Sequence, residues 1–159
     1  MLKLNPSYIK NIVKKALEED LKPRGDITTN LIKKKDRVVR ALIIAKQDGV
    51  IAGLDFCKTA FQLIGRELKF KKKVFDGEKV KKNRVIVEIK AKIKTILIAE
   101  RTALNFLNHA SGIATTTNQF VKKISKKTKI CCTRKTTPNL RALEKYAVKM
   151  GGGHNHRYN

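Results

Sequence analysis

The chain has 159 residues, 42% of them hydrophobic, which is enough for one sizeable core and too apolar for the disordered class. No apolar run approaches the roughly 20 residues that span a bilayer, and the N-terminal Met1-Leu2-Lys3-Leu4-Asn5-Pro6 lacks the apolar segment of a signal peptide, so a cytoplasmic protein without a membrane partner is expected. A formal charge of +24 raises nucleic acid as a partner, but the lysines fall in short runs through every element, with no tryptophan and no interleaved aromatics to stack bases. Lysine-rich solvated faces, with weak and non-specific nucleic-acid affinity at most, are the expectation. The positive field would still draw in an anionic substrate.

Residues 5–21 carry Tyr8, Ile9, Ile12, Val13, Ala16 and Leu17 at three- and four-residue spacing, the mark of a helix with one buried face. Asn5 is its expected N-cap and Pro6 its first helical residue. Glu18, Glu19 and Asp20 stand at the end where the helix dipole disfavours acids, and read as a solvated terminus before Pro23 and Gly25. Gly25 to Thr29 can open a short helix capped by Asp26, a packing element whose rival role is a metal ligand.

From Arg37 the period becomes that of strands. Val38 to Ala45 is apolar and β-rich, Asp48-Gly49 signals a turn, and Val50 to Leu54 continues as a second run. Phe56 to Ile64 reads as a helix with Phe56, Ala60, Phe61 and Ile64 on one side. Leu68 to Lys71 alternates, Asp76-Gly77 turns, and Val85 to Lys90 alternates again. Four strands with helices attached give an α+β sandwich layer.

Ile96 to Ile124 is mostly helical by pattern, with a break expected near Ser111-Gly112. Ala99, Ala103, Phe106, Leu107 and Ala110 share one side. Arg101, Asn105, Asn108 and Gly112 form a polar stripe opposite, notable for its lack of lysine in so lysine-rich a chain. Cys57, Cys131 and Cys132 follow no C-x-x-C spacing and read as reduced structural thiols.

Ile130 to Thr133 reads as a short strand, and Pro138 as the opening of a helix that buries Leu140, Leu143, Tyr146, Ala147 and Met150. Gly151 to Gly153 end that helix, and a second strand begins at His154. Arg134 and Lys135 follow the first strand; His156 and Arg157 lie on the second. Ligands of α/β folds gather outside the carboxyl ends of parallel strands, so four nitrogenous side chains meeting there suit an anion. Thr133 can add a donor. His154 and His156, two residues apart, could bind a metal, but no third ligand stands nearby. The glycine run could cradle phosphate, although helix termination explains it equally.

Three blocks in order, E-D-L-x-x-x-G-D-I-T-T at 19–29, E-R-T-A-L-N-F-L-N-H-A-S-G-I-A-T at 100–115 and T-R-K-T-T-P-N-L-R-A-L-E-K-Y-A-V…G-G-G-H-N-H-R at 133–157, resemble quinolinate phosphoribosyltransferase, the decarboxylating nicotinate-nucleotide pyrophosphorylase family of NAD synthesis. The resemblance implies phosphoribosyl transfer from phosphoribosyl pyrophosphate to quinolinate with loss of CO₂. Arg134, Arg157 and Arg101 would grip the quinolinate carboxylates, arginine being suited to bidentate contact. Lys135 and His156 would face the phosphoribosyl side, and Lys135, Arg134 and His156 are the implied catalytic set. Thr133 completes the substrate-binding residues. Arg101 would enter the site of a partner subunit in a homodimer. Mg²⁺ would arrive with phosphoribosyl pyrophosphate, and the family's acidic magnesium-side residues have no counterpart in this chain. A positive cluster of this kind stabilises charge developing on the departing pyrophosphate.

The chain departs from the family pattern at Cys132, where aspartate is expected, and at Asn139, where glycine usually follows the proline. It also stops at Asn159, short of the roughly 200–250 residues of a βα barrel. The expected organisation is an α+β sandwich N-terminal domain with a linking helix over 1–110, then the first βα units of an incomplete α/β, TIM-like barrel over 111–159. Such an N-terminal piece is expected to be inactive, with the apolar face of Leu140, Leu143, Tyr146 and Met150 left uncovered and prone to association. Two other functions fit parts of the pattern: a transferase-like protein of the same fold, such as those associated with molybdate uptake, and a non-catalytic basic module that binds nucleic acid.

Overall fold

A computed structural model describes residues 4–23, 25–26, 29, 36–125 and 127–156. Helix α1 spans Pro6–Leu21 and starts as its sequence dictates: the Asn5 side chain accepts from the Ser7 amide at 2.8 Å, with Pro6 at the first position. Ile9, Val13 and Leu17 form its buried stripe. Asp26 accepts from the Thr29 amide at 3.0 Å, the geometry of the expected cap, whereas Ile27 and Thr28 of that motif lie outside the described residues.

Among the described residues, five strands form two antiparallel sheets. Strands β1 (Val38–Ile44), β5 (Val85–Lys92) and β3 (Lys69–Lys72) make a three-stranded sheet in the order β1-β5-β3, and β2 (Gly49–Val50) pairs with β4 (Lys79–Val80). The sequence signals four strands; β4, two residues in a lysine-rich stretch, is too short to show a period. The expected run from Val50 to Leu54 also stops early: the Ile51 amide still donates to the Glu78 carbonyl at 3.0 Å, but side chains take the other backbone donors of the run. Thr115 Oγ1 accepts from the Val50 amide at 2.9 Å, Ser111 Oγ accepts from the Ala52 amide at 3.0 Å, and Asp76 takes the Gly53 and Leu54 amides at 3.2 Å each. Helix α2 (Leu54–Ile64) therefore begins two residues before the predicted Phe56.

Helix α3 (Ile93–Lys123) leaves β5 without a loop, and Asp36 caps it from a distance by accepting from the Lys94 amide at 3.1 Å. It runs unbroken through Ser111 and Gly112, contrary to the expected break. A helical glycine costs about 1 kcal/mol. Burial of Ala110 and Ala114 on either side, with Ser111 tied to Ala52 and Thr115 to Val50, outweighs that cost. Ala99, Ala103, Phe106, Leu107 and Ala110 are all buried, as their spacing predicts. The core runs from α1 through α2 and the sheet to α3, and Phe56 stacks on Phe106 with centroids 5.3 Å apart. Burial pushes the Cys57 thiol up to about 12, with the Asp76 carboxylate adding to the shift, so Cys57 is inert packing.

Helix α4 spans Arg141–Met150, three residues later than a start at Pro138. Pro138 and Asn139 instead form the corner of a turn closed by the Leu140 amide on the Thr137 carbonyl at 3.1 Å, with Asn139 at φ 65°. Proline followed by a positive-φ residue is the type II arrangement, which glycine fills best and asparagine tolerates. The departure at Asn139 thus keeps the turn. The expected exposed apolar patch is absent from this helix: Leu143 and Ala147 are buried, Leu140 and Met150 are half-buried against the core and Tyr146 is half-buried, because α3 covers that face. Gly151 and Gly153 lie so close to α3 that a Cβ on either would meet Thr117, at 2.7 and 2.8 Å. Close approach, added to helix termination, accounts for the glycine run.

Candidate functional site

The segment after α3 returns beside the segment after α4. Cys131 and His154 form one parallel bridge, in which the Cys132 amide donates to the His154 carbonyl at 2.9 Å and the His154 amide donates to the Ile130 carbonyl at 2.8 Å. The expected strand from Ile130 to Thr133 is reduced to this bridge, since two bonds are all the neighbouring segment supplies among the described residues. Its direction is nevertheless the predicted one. Parallel pairing sends Thr133, Arg134 and Lys135 off the same end as Asn155 and His156. Thr133, Arg134, Lys135, His154 and His156 are exposed, and Arg157 lies outside the described residues. The Thr133 hydroxyl accepts from the Lys135 amide at 3.1 Å, which folds the cationic loop back on itself.

A cavity of about 650 Å³ opens beside this loop, lined by Cys131, Cys132 and Thr133 and by Asn108, His109 and Gly112 of α3. A second, of about 600 Å³, lies between α1 and α3 and is lined by Asp20, Asn105, Asn108 and His109. Asn108 and His109 border both, so the predicted polar stripe of α3 connects the cationic loop to the end of α1. Arg101 is at the far end of that stripe. Its side chain is 73% exposed, and its guanidinium donates to Asp20 at 2.7 Å. Asp20 is therefore an ion-pair partner rather than the freely solvated helix end that its position suggested. Glu18 also engages cations, Lys14 at 3.9 Å and Lys22 at 3.5 Å.

Three polar residues escaped the sequence reading. His109 Nε2 meets Glu144 Oε1 at 3.1 Å, and Glu144 Oε2 accepts from the Thr137 amide at 3.2 Å. Lys145, 3% exposed, donates from Nζ to the His156 carbonyl at 2.9 Å. The available signal was Glu144-Lys145 beside Leu143 and Ala147, but a helical period assigns both charges to solvent. No group of three or more His, Cys, Asp or Glu side chains is placed to hold a metal ion among the described residues. The described residues thus do not fit a protein-held metal. No helix among the described residues is long and apolar enough to cross a membrane.

Two domain models of one family match the chain. Residues 26–111 match the quinolinate phosphoribosyl transferase N-terminal domain, and residues 113–159 match the C-terminal domain of the same family. The chain belongs to the quinolinate phosphoribosyltransferase family. It is 46% identical over 154 residues to a probable nicotinate-nucleotide pyrophosphorylase of Methanocaldococcus jannaschii, covering 95% of this chain and 53% of that relative. A probable nicotinate-nucleotide pyrophosphorylase of Bacillus subtilis is 38% identical over 156 residues, covering 98% of this chain and 53% of the relative. The solved nicotinate-nucleotide pyrophosphorylase of Francisella tularensis superposes with a TM-score of 0.93 at 39% identity, over 99% of this chain and 55% of that structure. The chain spans about half the length of the relatives it matches, and its mixed helix-and-sheet fold is that of the quinolinate phosphoribosyltransferase family.

Proposed function

We infer that this chain supplies the substrate-binding face of a decarboxylating phosphoribosyltransferase of NAD synthesis, acting on quinolinate and phosphoribosyl pyrophosphate. The observation that carries the reading is the parallel bridge between Cys131 and His154, which turns the Thr133–Lys135 segment and the His154–His156 segment toward one end. The names of the relatives, nicotinate-nucleotide pyrophosphorylase and quinolinate phosphoribosyltransferase, support the same chemistry. In this reading residues 1–110 form an α+β sandwich domain with its linking helix, and residues 111–159 begin an α/β barrel. The boundary falls inside α3.

Arg134 and Arg157 would hold the quinolinate carboxylates, with Thr133 beside them. Lys135 and His156 would hold the phosphoribosyl side and stabilise charge on the leaving pyrophosphate. Mg²⁺ would come bound to the phosphoribosyl pyrophosphate. Arg101 would serve a partner's site in a homodimer, exchanging Asp20 for a substrate carboxylate. That exchange suits its exposure.

Calorimetric titrations of the chain with quinolinate and with phosphoribosyl pyrophosphate test the reading. Arg134→Ala and Arg157→Ala should each weaken binding by about 2–5 kcal/mol, because a bound carboxylate loses its partner. Lys135→Ala should act on phosphoribosyl pyrophosphate instead. Equal affinities in all three variants and the parent chain would remove the assignment.

A further inference from the structure

The two segments that carry the candidate site are bound a second time, beyond the bridge, and by neighbouring residues of one helix. Glu144 reaches the Thr137 amide, two residues past Lys135, at 3.2 Å, and its other carboxylate oxygen meets His109 of α3 at 3.1 Å. Lys145 reaches the His156 carbonyl at 2.9 Å. Consecutive helical residues point about 100° apart, so one helix can touch a segment on each side. The bridge ties the segments at Ile130, Cys132 and His154, and α4 ties them at their far ends.

Packing alone does not call for these side chains. Lys145 is 3% exposed, and burying an ammonium costs several kcal/mol unless it is well partnered. A methionine of similar length would fill the same space without that cost. Glu144 likewise directs one oxygen at a loop amide and the other at a second helix, a geometry that restrains where the loop sits. The Tyr146 side chain, next in sequence, points elsewhere, to Asp76 at 2.7 Å, so the helix is held in place independently of the Glu144 and Lys145 contacts.

We propose that Glu144 and Lys145 are positioning residues: together they fix the spacing between the Thr133–Lys135 loop and the His156 end, and so the distance between the two anionic groups the site accepts. The proposal rests on the reading of those two segments as the anion site. It predicts that removing either contact loosens ligand grip while leaving the fold in place.

The test uses the full chain with pyridine-2,3-dicarboxylate and inorganic pyrophosphate as calorimetric probes, and amide hydrogen exchange as the second readout. Glu144→Ala should speed exchange at Thr137, and Lys145→Met should speed it at Cys132 and His154. Each should weaken the probes by roughly tenfold or more, as small displacements of binding groups do, with the melting midpoint little changed. Lys145→Arg should recover part of the loss. Tyr146→Phe, on the same helix, should leave exchange at Thr137, Cys132 and His154 as it was. Probe affinities unchanged in both variants, or lost only in step with global unfolding, would overturn the proposal. If the parent chain binds neither probe, the functional reading of the site fails. The exchange data then decide the positioning alone, since unaltered protection in Glu144→Ala and Lys145→Met rejects it.

Discussion

The Tyr146 hydroxyl donates to Asp76 Oδ2 at 2.7 Å across 70 positions of sequence. The same carboxylate accepts the Gly53 and Leu54 amides at the N-terminus of α2, where the helix dipole favours a negative charge. One acidic residue therefore joins the turn between β3 and β4, the start of α2 and the middle of α4. Tyr146→Phe removes one donor and leaves Asp76 two. The expected loss is about 1.5–3 kcal/mol, the range for a hydrogen bond to a charged group, read from urea denaturation with an unchanged m-value.

Burial holds the Asp76 carboxyl above the usual carboxylate range, against the lowering effect of its hydrogen bonds to Tyr146, Leu54 and Gly53. The native state then binds more protons than the unfolded chain between the ordinary carboxylate value of about 3.9 and the raised native one. Stability contributed by this group is fully present below that window and falls as pH rises through it. Asp76→Asn should flatten this part of the stability-against-pH curve. A slope that persists unchanged in the variant would assign the effect to other groups.

Asn139 pays for its positive φ of 65° in backbone energy that glycine does not need. Asn139→Gly should be neutral to slightly stabilising, whereas Asn139→Ala should cost about 1–2 kcal/mol. Thermal melts of the three proteins give the ordering directly. A stable alanine variant would show that the turn relaxes to another type.

Arg40, Lys90 and Lys69 face one another in register across β1, β5 and β3, and all three are exposed. Like charges directly opposite are unfavourable by about 0.2–1 kcal/mol per pair. Lys90→Glu should therefore raise stability at low ionic strength, and the gain should shrink as salt screens it. A gain independent of salt would point to a cause other than charge.

The same cations bear on nucleic acid. Any binding to duplex DNA should be sequence-blind and fall steeply between about 50 and 200 mM salt, as the release of counterions from several phosphates requires. Fluorescence anisotropy with two unrelated duplexes measures both features. Selective binding that survives at the higher salt would favour a nucleic-acid module over the transferase.

Local pattern determined much of this protein. The Asn5-Pro6 start of α1 and the buried stripe from Ala99 to Ala110 follow from capping and spacing, which act over a few residues. The T-R-K and H-N-H-R segments also carried the family, and with it the candidate site. The tertiary structure decided what depends on distant partners. Val50 to Leu54 has the composition of a strand, but Ser111, Thr115 and Asp76 take the donors of Val50, Ala52, Gly53 and Leu54. Gly112 has the composition of a break, yet α3 runs unbroken through it, with buried residues on both sides. Lys145 and Glu144 have the pattern of solvated charges, and became anchors once the segments on either side of α4 closed around them. A helical period reports one buried face at most; where a helix is enclosed on two sides, only the packed chain shows which polar groups have partners.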